Sequence, residues 1–167
     1  MTQITEGISN KKTRVGWRAL LMHRLVTFSQ PLYRRWSCKQ QIPWEISTQQ
    51  LLSYPVNSLG QTLGQFLQKH DYTLMAQFES HDVFHVLLGY EPSVLDEARM
   101  QYCLLASGRH SIYTLGTCVL AGIVYPEYCL DFRRYYQYGR NLKDFSYWNF
   151  ETMLSIDIKE LRRNIFR

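Results

Sequence analysis

Proline, glycine and capping side chains divide this chain into segments of helical length, and that punctuation limits it to an all-α fold. Pro31, Pro55, Gly89, Pro92, Gly108 and Pro126 mark the breaks. The spacing predicts helices over 13–29 and 48–54, then one capped by Asn57 or Ser58 that carries Gly60 and Gly64 one turn apart. A helix over 73–88 is stopped by Gly89, and the next has Pro92 in its first turn and runs to Ala106, before Gly108. Ser111 starts a mostly apolar helix that ends before Pro126, and another covers 126–138. One more contains 148–154, and the last begins at Asp157, whose spacing to Glu160 suits a capping box, with Leu161 and Ile165 facing inward. Residues 112–125 are rich in β-branched and aromatic types, but no segment alternates between hairpin turns as a strand would. The expectation is one all-α domain over residues 1–167, a helical bundle of about seven to nine helices.

The 46% hydrophobic and 20% charged shares are those of a globular domain, which excludes wholesale disorder. The net charge of +5 is concentrated at one end. Lys11, Lys12, Arg14, Arg18, Arg24, Arg34, Arg35 and Lys39 face only Glu6 within residues 1–40. Such an end suits anionic partners such as lipid headgroups, and equally a solvated face. No aromatic-basic recognition motif accompanies it, so nucleic acid is not an expected partner. Cys38, Cys103, Cys118 and Cys129 form no CxxC pair, which points to a reducing compartment. The longest apolar run, 115–125, is too short to span a bilayer.

The stretch HDVFHVLLGYEPSVLDE, residues 81–97, holds two imidazoles and two carboxylates around a Gly-Tyr-Glu-Pro interruption. On a helix, His81 and His85 lie one turn apart on one face, with Asp82 in the same wedge and Phe84 and Leu88 beside it. If 89–92 is a tight turn between antiparallel helices, His85 and Glu97 stand equally far from Glu91 and face each other. Asp96 is the neighbour that would replace Glu97 if the helical phase differed. His81, Asp82, His85 and Glu97 then form a four-ligand set suited to Zn²⁺, with Fe²⁺ or Mn²⁺ also chemically allowed. The competing reading is that these are structural histidines and exposed acids of an ordinary helix pair.

The pattern His81-Asp82-Val83-Phe84-His85, then eleven residues, then Glu97 resembles the HDxxH-x11-E signature of the coenzyme Q biosynthesis protein 4 family. Thr62-Leu63-Gly64 with Phe66-Leu67 is similar to the family's upstream glycine segment, and 148–162 to its C-terminal stretch. The chain departs from the family at Ala76, Gln77 and Phe78, where relatives carry Arg and Tyr, while Glu79 is retained. The resemblance implies an all-helical zinc-binding protein with an apolar channel for a polyprenyl tail. It implies a homodimer in peripheral contact with a membrane, cytoplasmic or on the matrix side of the mitochondrial inner membrane. It also implies C1 oxidative decarboxylation and hydroxylation of a prenylated benzoquinone precursor, and association with other quinone-biosynthesis enzymes. On this reading Gly64, Phe78, Glu79 and Leu88 are the substrate-contacting positions.

Two other functions compete. The same pocket and metal would serve a non-catalytic prenyl-lipid carrier or scaffold. The doublet His81-Asp82 also occurs in HD-type phosphohydrolases, for which His70 and Asp131 would complete the site.

Overall fold

The structure, a computed structural model, describes Arg18 and residues 43–166. The helix expected over 13–29 lies outside the described residues except for Arg18, which is helical and pairs with Glu127. The remainder comprises α1 (Thr48–Leu52), α2 (Leu59–His70), α3 (Glu79–Leu88), α4 (Val94–Ser107), α5 (Ile112–Val124), α6 (Cys129–Gly139) and α7 (Ile158–Ile165). Single 3-10 turns cover Pro126–Tyr128 and Phe150–Met153. The chain is all-α, with no strand among the described residues.

Side-chain caps place most of these helices. Ser47, Ser58, Ser93 and Ser111 each accept a hydrogen bond from the third backbone amide of the helix they start, and Asp157 accepts from Lys159 N at 2.7 Å. Each such cap stabilises its helix by about 1 kcal/mol. Three sequence expectations shift. The helix expected from residue 73 begins only at Glu79, because Gln77 adopts a left-handed conformation (φ 70°) that breaks the helical path. Pro92 precedes the Ser93 cap of α4 and so stands outside its first turn. The stretch 148–154 makes only a 3-10 turn, which presents Phe150 and Leu154 to the core without a longer helix.

Helix α4 is central, packed against α6 most extensively and against α5 and α3 on other sides. Contact with α6 is close enough that any side chain at Gly139 would collide with the Cys103 backbone. One face of α4, with Met100, Cys103 and Leu104, enters the main core alongside Leu63, Leu67, Val83, Phe84, Leu87, Phe145 and Phe150. The opposite face sets Ala98 against Ala121, Tyr125 and Phe132. Phe84 meets Phe145 and Phe150 edge-on, both at 5.7 Å. Helix α7 closes the end of α3, where Arg162 donates to the Val86 and Leu87 carbonyls at 2.9 and 3.0 Å. Those carbonyls sit at the helix end and lack intrahelical donors. Cys103 and Cys118 are buried, which pushes both thiols up to about 12, so they act as small apolar side chains. No helix among the described residues is long and apolar enough to cross a membrane.

Candidate metal centre

Helix α3 delivers His81 and His85 from successive turns, and Gly89 ends it in a left-handed conformation (φ 77°). Ser93 caps α4 by accepting from Asp96 N at 3.1 Å, which fixes the helical phase with Glu97 in the first turn. The return brings Glu97 onto the histidines. Its Oε2 lies 3.3 Å from His81 Nε2 and 3.2 Å from His85 Nε2, and the two Nε2 atoms are 3.2 Å apart. These three residues form a potential metal-holding group among the described residues.

The triangle has the size an ion needs. A tetrahedral Zn²⁺ with bonds of about 2.0–2.1 Å requires donors about 3.3 Å apart. Two imidazoles and a glutamate also form the donor set of catalytic zinc sites, which keep further coordination open. The spacing therefore fits a divalent ion held by His81, His85 and Glu97.

Neighbouring groups orient two of the donors. His85 Nδ1 lies 3.2 Å from the Tyr90 carbonyl, and because a carbonyl only accepts, Nδ1 carries the proton and Nε2 offers its lone pair. Phe66 stacks on the same imidazole with ring centres 5.7 Å apart. Glu97 Oε1 accepts from Gln101 Nε2 at 2.9 Å and from the Tyr113 hydroxyl at 3.2 Å, which leaves Oε2 to face the histidines. Neither Gln101 nor Tyr113 appears among the sequence candidates. Gln101 follows Glu97 by one turn on α4, a helical spacing that could have identified it. Tyr113 reaches the site from α5, for which no local pattern exists.

The charges are strongly coupled. Burial works against ionising Glu97, yet the facing imidazoles outweigh it and hold the carboxyl well below its usual range. Burial likewise works against a charged His81, but the Glu97 carboxylate, helped by Asp82, raises its affinity for a proton. Asp82 stands outside the triangle and acts on it through charge; burial pushes its carboxyl up to about 6, against the pull of His81 and His85.

The other sequence candidates have varied placements. Gly64 is buried where α2 meets α1, and a side chain there would press on the backbone of Leu51 and Leu52. Phe78 is half-buried and immediately precedes α3. Glu79 is buried and accepts from Trp44 N at 3.0 Å, while half-buried Leu88 packs on the main core. His70 Nε2 lies 3.1 Å from Glu91, and Asp131 is bound by Arg99 at 2.7 Å, so neither joins the triangle.

No protein-family model matches the chain, and no curated protein does. Among solved structures, it is similar to the crystal structure of a Nostoc punctiforme protein provisionally assigned to ubiquinone biosynthesis. The TM-score is 0.58 at 17% identity, over 89% of this chain and 81% of that one. At that identity the likeness is one of fold.

Proposed function

We propose that this protein binds a divalent ion, zinc foremost, through His81, His85 and Glu97, with Asp82 as the adjoining fourth residue of the set and its second carboxylate. At that ion it handles a polyprenylated benzoquinone precursor of ubiquinone-type biosynthesis. The observation that carries this reading is the donor triangle of 3.2–3.3 Å, built across two helices with its own orienting hydrogen bonds. The substrate class is proposed from the resemblance of the 81–97 signature, and the fold shared with the Nostoc protein is consistent with it.

A bound ion would supply Lewis acidity towards a ring oxygen or carboxylate. His85 and Glu97 are oriented to hold it, and His81 gives up its proton to do so. Oxidative removal of a C1 carboxyl, the catalytic form of this proposal, takes electrons to an acceptor such as oxygen, which Zn²⁺ does not replace. The carrier form, in which the precursor is bound and presented to partner enzymes, needs only the ion and an apolar site. Peripheral membrane contact and a homodimer belong to the same proposal. The apolar side that α5 turns outward, with Ile112, Val119 and Ile123 exposed, supports such a contact.

Metal analysis and native mass spectrometry of protein purified without chelators test the reading. About one ion per chain is expected, lost in His85→Ala and Glu97→Ala, with a co-purified isoprenoid. Metal content unchanged in both variants overturns it. Turnover of a prenylated hydroxybenzoate separates the catalytic form from the carrier.

A further inference from the structure

Helix α5 presents an uncovered apolar stripe. Ile112, Leu115, Val119 and Ile123 are 68%, 45%, 63% and 71% exposed, at a spacing that puts all four on one side of the helix. A continuous exposed row of this kind marks a contact surface. Gly116 lies in the same row, and a side chain added there would meet nothing within 4 Å, so the stripe carries a notch.

The chain itself passes both ends of this stripe. Arg18 is helical and pairs with Glu127, three residues beyond the last residue of α5. Its charge also acts on the phenol of Tyr125, which closes α5. At the other end Tyr113, the second residue of α5, stands edge-on to His81 with ring centres 6.2 Å apart. Trp44 N donates to Glu79 in the same first turn of α3, so the chain returns on that side. Residues 19–42 therefore connect the last turn of α5 to the neighbourhood of its first.

The helix expected over 13–29 fits that path. Arg18 to Ser29 rises about 16 Å as a helix, and Ile123 back to Ile112 rises the same. The face that holds Arg18 continues through Leu21, Leu25 and Phe28, at spacings of three and four residues. With Arg18 at Glu127, an antiparallel register sets Leu21 by Ile123, Leu25 by Val119 and Phe28 by the Gly116 notch.

We infer that residues 19–29 of this chain cover the α5 stripe as an antiparallel helix in that register, with Phe28 at the notch. The inference is independent of the metal-centre reading. A membrane or a second copy then meets this segment, which carries the basic end of the chain, ahead of the α5 stripe.

Disulfide trapping in the full-length protein, with Cys38 and Cys129 replaced by serine, tests the register. Leu25→Cys with Val119→Cys, and Leu21→Cys with Ile123→Cys, should each close a bond within one chain. Both should do so at least about tenfold faster than Leu25→Cys paired with Tyr147→Cys, a position 87% exposed. Non-reducing gels separate bonds within a chain from bonds between chains. Alkylation of the single variant Ile123→Cys leaves the segment intact and gives a second reading. It should be about tenfold slower than at Tyr147→Cys, and adding Leu25→Asp should restore the fast rate. Equal rates at the stripe and at Tyr147 in either measurement overturn the inference. Bonds between chains overturn it in favour of a second copy on the stripe. Protection of Ile123→Cys that appears only with anionic phospholipid vesicles overturns it in favour of a membrane.

Discussion

Replacing Asp82 with asparagine should stabilise the metal-free protein at neutral pH. Burial pushes the Asp82 carboxyl to about 6 from an ordinary 3.8. At about 1.4 kcal/mol per pH unit, this gap sets a ceiling of about 3 kcal/mol. Asp82 is only half-buried, and solvent screening brings the expected effect to about 1–2 kcal/mol. The sign follows from proton binding. The folded carboxyl holds its proton more tightly than the unfolded one, so its favourable contribution is complete below the unfolded value and is lost as pH rises through about 6. Asparagine does not ionise. The variant should therefore match wild type near pH 4 and exceed it near pH 7.5. Urea denaturation of chelator-treated protein at both pH values measures the difference. Zinc should shrink or reverse it, because a bound cation favours the ionised carboxylate. An Asp82→Asn variant equal to or less stable than wild type at pH 7.5 without metal refutes the reasoning.

Tyr113→Phe and Gln101→Leu should each weaken zinc binding about tenfold, because each removes a donor that holds Glu97 Oε1. Chelator competition reads the loss, and unchanged affinity in both variants would show that Glu97 needs no outer support. Arg162→Ala should cost about 1–2 kcal/mol in urea denaturation by leaving the Val86 and Leu87 carbonyls without their donor. A neutral result would mean that water replaces the guanidinium there.

Capping and helix-stopping residues carried most of the fold in the sequence itself. Ser58, Ser111 and Asp157 start the helices they were expected to start, and Gly89 ends α3 where its left-handed backbone is needed. The same punctuation carried the return of Glu97, because the distance of a residue from a tight turn determines what it faces. Misread stretches depend on tertiary contacts. Residues 73–78 have helical composition, but the left-handed Gln77 and the buried Glu79 bound to Trp44 N form an entry loop. At 148–154, aromatic side chains fill a gap in the core, and that packing does not require a full helix. Tyr113 is illegible in the sequence for a related reason. Its role comes from how the start of α5 lies against His81 of α3 and Glu97 of α4, which residue spacing within either segment does not encode.

The hydrogen bonds around the triangle explain why it calls for a positive charge at its centre. The Tyr90 carbonyl commits the His85 proton to Nδ1, so Nε2 can only accept in the neutral ring. Gln101 and Tyr113 take up Glu97 Oε1, and the ionised Oε2 is also an acceptor. Two acceptors 3.2 Å apart repel each other unless something positive lies between them. His81 is the remaining member, and its raised affinity for a proton supplies that charge in the metal-free protein. A divalent ion would meet the same demand with twice the charge, once His81 releases its proton. Proton and metal therefore compete for one position, and zinc affinity should rise as pH climbs through the range in which His81 deprotonates.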